Sequence, residues 1–143
     1  MILVDANLLI YAVDRDAPHH RAARRWLEAT LSGTTPVGFA WVVILAFLRI
    51  TTRAGLLRRP LSPDTALAYV DSWLQQPFAE AVGPGPGHWP VLQRLLRATG
   101  MAGNLTSDAH LAATAIERGA AVYSSDNDFK RFPGLEHVNP LRA

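Results

Sequence analysis

The chain has 143 residues, 49% of them hydrophobic and 18% charged, with a formal net charge of +2, no cysteine and 13 arginines beside one lysine. That length suits one domain with a real core, and the lack of Cys excludes disulfides, thiolate metal sites and a Cys nucleophile. The longest apolar run, residues 40–48, is far short of the roughly 20 residues of a bilayer span, and the N-terminus reads as no export signal, so a cytoplasmic, non-membrane protein is expected.

Residues 2–4 form a short apolar run suited to a buried strand, and residues 7–13 continue as a short helix. A second helix is expected from about Pro18, proline being favoured early in a helix, to Ser32-Gly33. Residues 37–39 read as a strand, followed by a largely apolar helix over about 40–53. Ser62-Pro63-Asp64 is a helix-start signature, and Leu67, Val70, Trp73 and Leu74 recur at helical spacing before Pro77. Residues 80–82 read as a third strand, "VGPGPGHWP" as a turn or loop, and residues 91–98 as a helix broken by residues 100–103. The best-patterned helix runs from Asn104 to about Arg118 with Gly119 as C-cap, leading into a strand at 120–123. Residues 136–138 read as a fifth strand. Strands separated by helices imply parallel pairing with right-handed crossovers, hence a three-layer α/β/α domain spanning residues 1–143.

In open parallel sheets, sites gather beyond the carboxyl ends of the strands. Asp5 directly follows the first strand, and Asp126 follows the strand at 120–123 by two serines, so both belong at that edge. Asp108 shares a helix side with Leu105, Ala109, Ala112, Ala115 and Ile116, which turns its carboxylate inward. Each acid also has a local explanation: Asp5 as a helix cap, Asp108 as a partner of a helix dipole, and "SSDNDF" as an Asx-type turn. Gathered together, however, they repel, at about 4 kcal/mol for two unit charges ~4 Å apart in an effective dielectric near 20. A hard divalent cation such as Mg²⁺ or Mn²⁺ is the natural compensator, and it can bind phosphate and lower the pKa of a water for attack on it. Phosphodiester chemistry is the economical expectation, and the preference for Arg, whose planar fork grips phosphate, points the same way.

"MILVDANLLIYA" and "NLTSDAHLAATAIERGAAVYSSDNDFKRFPGLEHVNPL", with the length between them, resemble the VapC-type toxins of the PIN-domain ribonucleases over essentially the whole chain. The resemblance implies an α/β/α PIN-like fold with a central parallel sheet, and Mg²⁺- or Mn²⁺-dependent endoribonuclease activity on structured, tRNA-like RNA. It further implies a cognate VapB-like antitoxin that blocks the site, and a homodimer. It assigns metal binding and catalysis to Asp5, Asp108 and Asp126, with Asn7, Ser124, Ser125 and Asp128 as supporting polar residues. One departure stands out: many members carry Glu on the third helix ahead of a Leu/Phe-Leu-Arg run, where "VVILAFLRI" has Ala46. An alternative expectation follows, a weak or inactive PIN-like module that binds RNA or protein. A phosphotransfer receiver or aspartyl-phosphate phosphatase is disfavoured, the latter because Asp5-Ala6-Asn7 replaces its Asp-x-Asp.

The His residues form no metal motif: His19 and His20 are adjacent on a helix, His88 and His137 sit in expected loops, and His110 faces away from Asp108. "GPGPG" lacks the Lys-Ser/Thr of a phosphate cradle. Trp26, Trp41, Trp73 and Trp89 read as core or interface anchors. Arg21, Arg24 and Arg25 share a helical side, and Arg49, Arg53, Arg58 and Arg59 lie along and after the third helix. Arg24, Arg25 and Arg49 are the expected RNA-backbone contacts, Arg49 nearest the site.

Overall fold

The computed structural model of the chain describes residues 1–100, 103 and 105–142. The chain runs β1 (Ile2–Val4), α1 (Ala6–Val13), α2 (His20–Leu31), β2 (Val37–Ala40), α3 (Trp41–Thr52), α4 (Pro63–Leu74), β3 (Ala79–Val82), α5 (His88–Thr99), α6 (Leu105–Arg118), β4 (Ala121–Tyr123) and β5 (His137–Val138), with a 3-10 helix at Asn127–Arg131 between the last two strands. The strands pair in the order β3-β2-β1-β4-β5, every pair parallel. This is the expected α/β/α architecture with a central parallel sheet.

Short strands suffice because both sheet faces are covered. Leu3, Val4, Val37, Phe39 and Val122 are buried beneath helices that contribute Leu8, Leu9, Leu27, Phe47, Leu95 and Ala112, and continuous apolar runs rather than alternation are what a doubly covered parallel sheet requires. Gly38 sits in β2 opposite Leu3 of β1. A Cβ there would collide with the Leu3 side chain and press on Met1 and Val82, so the glycine lets the core close over the sheet.

Several boundaries differ from those read in the sequence, each for a local reason. Pro18 lies in a turn rather than the first turn of α2: backbone bonds Ala17 N to Asp14 O and His20 N to Ala17 O fold residues 14–20 before the helix starts. In α4, Ser62 caps as expected, accepting from Thr65 N with Pro63 in the first turn. The buried stripe is Ala66, Val70 and Trp73, while Leu67 is 49% exposed. α5 begins at His88, inside the stretch expected to be a loop. Pro90 does not prevent this, because first-turn N–H groups have no intrahelical acceptor to lose. The helix start expected at Asn104, and residues 101 and 102 of the expected break, lie outside the described residues. Gly119 ends α6 at φ +63°, the left-handed conformation expected of its C-cap role. Trp73 is buried against Phe39 and Phe47, and Trp26 stacks on Tyr123, whereas Trp41 and Trp89 are exposed. Among the described residues no helix is long and apolar enough to cross a membrane.

Candidate active site

The parallel order brings the carboxyl ends of β1 and β4 side by side, with Val4 in register with Tyr123. Asp5 and Ser124 are therefore the first residues beyond neighbouring strands, and Asp5 N prolongs the ladder by donating to Tyr123 O at 2.9 Å. Asp5 also caps α1, its Oδ1 accepting from Ala6 N at 2.8 Å. The local and functional readings of this residue coexist, since one carboxylate has lone pairs for a cap and for a ligand.

Ser124, fully buried, organises the edge. Its hydroxyl donates to Asp5 Oδ2 at 2.7 Å and accepts from Asn7 Nδ2 at 3.1 Å and Asp126 N at 3.0 Å. Asn7 closes the loop by accepting from Ser125 N at 3.4 Å through Oδ1. Asp126 then caps the 3-10 helix, its Oδ1 accepting from Asp128 N at 2.9 Å. The "SSDNDF" stretch is thus an Asx-type cap that also presents an acid at the sheet edge. Its buried Phe129 pins the short helix to the core, while Asp128 remains exposed.

Asp108 comes from another direction, in the first turn of α6. Its neighbours Leu105, Ala109 and Ala112 are buried, confirming that this side of α6 faces inward. The rest of the helix is enclosed more widely than one stripe implies, with Leu111 through Ala115 all buried. Burial, reinforced by the charges of Asp5, Asp126 and Asp128, pushes the Asp108 carboxyl up to about 6. Burial also raises Asp5, against the opposing hydrogen bonds from Ser124 and Ala6, and the Asp126 charge adds to the rise. The expected acids thus share one electrostatic environment. Among the described residues, however, no three His, Asp or Glu side chains are arranged as a metal cage. The donor set still fits a hard cation: it consists of carboxylate oxygens, and Mg²⁺ keeps several waters, needing only one or two direct carboxylates.

The cations behave differently. Arg24 is paired with Glu28 at 2.9 Å on the exposed side of α2, on the rim of a cleft of about 400 Å³ whose floor includes Ala12, Leu27, Leu31 and Trp73. Arg59 grips Asp16 through Nε and Nη2, tying the loop after α3 to the turn after α1. Arg25 and Arg49 are exposed, and Ala46 is half-buried in α3.

Two histidines depart from their expected settings. His88 opens α5 instead of lying in a loop; its Nδ1 lies 2.6 Å from Glu117 Oε1 and its Nε2 lies 2.8 Å from His110 Nδ1. His110 accordingly turns toward α5, and burial followed by His88 pushes its imidazole below the usual range. His137, expected in a loop although the strand read at 136–138 includes it, is the first residue of β5, with Nε2 2.9 Å from Ser124 O. Its position beside the acidic edge was hidden in the sequence, because a strand at 136–138 does not by itself say that it pairs with β4 and brings His137 to Ser124.

Residues 2–135 match the PIN domain family. The chain is 46% identical over 140 residues to Ribonuclease VapC37 of Mycobacterium tuberculosis, spanning 98% of this chain and 97% of that protein. Its fold superposes on VapBC2 from Rickettsia felis, a crystal structure with a promoter DNA fragment, with TM-score 0.70 and 20% identity over 97% of this chain and 98% of that one. It also superposes on Mycobacterium tuberculosis VapC20, described as a sarcin-ricin loop cleaving toxin, with TM-score 0.69 and 17% identity over 94% and 98% of the two chains.

Proposed function

The chain belongs to the PIN-domain family, and from that premise we propose that it is a VapC-type toxin, a metal-dependent endoribonuclease that cleaves phosphodiester bonds of structured RNA. The observation that carries this reading is the meeting of Asp5 and Asp126 beyond the paired ends of β1 and β4, where Ser124 bonds to both, with the Asp108 carboxyl on α6 pushed up to about 6 by burial and by the charges of Asp5, Asp126 and Asp128. Such a group is costly to keep charged unless a cation joins it. Asp5, Asp108 and Asp126 would hold Mg²⁺, with Mn²⁺ as substitute. When bound, the ion supplies charge neutralisation at the phosphate and a more acidic water.

The chain's own residues do the positioning. Ser124 fixes one oxygen of Asp5 and the amide of Asp126, so two acids from sequence-distant segments hold a constant separation. Asn7 and Ser125 lock the turn between them. Asp128 adds negative charge at the rim, and among the described residues its carboxylate makes no hydrogen bond into the cluster. Exposed Arg25 and Arg49, and Arg24 once released from Glu28, neutralise flanking phosphates without reading bases. tRNA-like RNA is the preferred substrate.

The cognate partner in this reading is a VapB-like antitoxin, as in the VapBC assemblies the fold resembles. The cleft bounded by α1, α2 and α4, with its apolar floor and charged rim, suits a peptide segment. The working unit is a homodimer acting in the cytoplasm, with exposed Trp41 and Trp89 available for an interface.

A second reading, a catalytically weak RNA- or protein-binding module, is favoured by Ala46 and by the lack, among the described residues, of three acids arranged as a metal cage. Incubating total RNA with the protein and with Asp5→Asn, with and without Mg²⁺, and mapping new ends separates the two. Metal-dependent ends absent with Asp5→Asn are expected; none with either protein would leave the binding module.

A further inference from the structure

His137 is set against both segments that build the acidic edge. Its Nε2 lies 2.9 Å from Ser124 O. A carbonyl can only accept, so Nε2 carries the proton. Its ring stacks on Phe129, centroids 5.9 Å apart and planes at 28°, and Phe129 is the fully buried anchor of the 3-10 helix that Asp126 caps. The ring also lies close enough to Asp5 for their charges to interact.

The other ring nitrogen shows what this placement costs. Nδ1 of His137 is buried and has no hydrogen-bond partner among the described residues. An orphaned buried polar atom is destabilising, and an apolar ring would fill the place without that penalty. Nor does strand pairing need the imidazole: Val122 N donates to Glu136 O and Ser124 N donates to Val138 O, which already hold β5 to β4. What the imidazole adds beyond strand pairing is the Nε2–H that reaches Ser124 O.

We propose that His137 is a positioning residue of the acidic site: by holding the Ser124 carbonyl it fixes the residue whose hydroxyl orients Asp5 and the Asp126 amide. The proposal rests on the ribonuclease reading for its effect on cleavage, but not for its effect on metal binding. Two substitutions separate the ring from the donor. His137→Phe keeps the stack on Phe129 and loses the N–H; His137→Gln loses the stack and keeps an N–H at similar reach.

The test is calorimetric titration of the RNA-free protein with Mn²⁺, followed by cleavage kinetics and thermal melting of both variants beside Asp5→Asn. His137→Phe is expected to melt near the native temperature, to bind Mn²⁺ about tenfold more weakly and to lose about tenfold in kcat with little change in KM, the scale of an outer-shell change. His137→Gln should recover most of both. Native Mn²⁺ affinity in the Phe variant, or equal losses in two well-folded variants, would overturn the proposal. If the Phe protein fails to fold, the Gln protein decides by keeping or losing native affinity. Cleavage by Asp5→Asn at the native rate would instead take Asp5 out of the reaction, and absence of cleavage by the native protein would remove the ribonuclease reading; in either case the Mn²⁺ titration judges His137 alone.

Discussion

The Ser124 hydroxyl donates to Asp5 Oδ2 at 2.7 Å although the two residues are 119 positions apart in sequence. The parallel pairing of β1 with β4 makes this possible, because residues just beyond in-register neighbours meet at the sheet edge. Ser124→Ala should therefore do two things. The half-buried Asn7 and Asp126 N–H groups lose their acceptor, which costs about 1 kcal/mol in denaturant unfolding. Cleavage should also fall about 10–100-fold as Asp5 loses its orientation. A variant as stable and active as the native protein would mean that the hub is incidental.

Asp5→Asn should reduce cleavage by more than the roughly 100-fold upper range of an outer-shell change, because it removes a ligand charge itself. It keeps the helix cap, since the amide oxygen can still accept from Ala6 N. Far-ultraviolet circular dichroism should be native-like. Retained cleavage would remove Asp5 from the reaction.

The placements of Asp5, Asp108 and Asp126 were legible in the sequence because strand ends and helix periodicity are local signals: the pairing of β1 with β4 sets Asp5 and Asp126 at one sheet edge, and Asp108 lies on the inward side of α6. Asn7, Ser124 and Ser125 were legible only through family resemblance, since polar residues in a turn have many uses. His137 and the His88–Glu117–His110 chain were not legible. Their bonds join β5 to β4 and α5 to α6, and no spacing within one element reports such a meeting. The late start expected for α5 has the same origin: Gly and Pro in "GPGPGHWP" signal a loop, but packing of α5 on α6 carries the helix back to His88.

The raised Asp108 carboxyl fixes the sign of a pH effect. Its native value of about 6 lies above the ordinary 3.8, so the folded protein binds this proton more tightly than the unfolded chain. Its stabilising contribution is complete below about pH 3.8 and is lost as pH rises through about 6; Asp5, also raised, acts in the same direction. Metal-free protein should consequently melt at a lower temperature at pH 7 than at pH 5, and Asp108→Asn should flatten that difference. Millimolar Mg²⁺ or Mn²⁺ should recover melting temperature at pH 7 by mass action and much less at pH 5, where protons compete. A wild-type melting temperature rising steadily from pH 5 to 7 without metal would contradict the assignment.

Arg24 and Arg25 can be told apart by salt. Arg24 already pairs with Glu28, an exposed i,i+4 pair, so RNA must compete for it. Arg25→Ala should lower the slope of log K against log salt by about 0.7 if it neutralises one phosphate of a single-stranded segment. Arg24→Ala should change it less, and neither should alter Mn²⁺ affinity. Identical slopes for native and both variant proteins would make this face of α2 an ordinary solvated surface.

Ala46 gives the most direct test of the site's extent. It is half-buried in α3, at the point where the family resemblance puts a glutamate. If that side of α3 faces the acids, Ala46→Glu adds a further carboxylate to a group whose charges already push Asp108 upward. Metal-free protein should then lose about 1 kcal/mol, from repulsion and from burying part of a charge. Mn²⁺ should bind about tenfold more tightly, because ligand charge sets the affinity of hard-cation sites. Both changes must appear together, and melting without metal alongside calorimetric titration reads them separately. Destabilisation with no gain in affinity would show that position 46 serves packing, and the native protein's metal would then depend on Asp5, Asp108 and Asp126 whatever stands on α3.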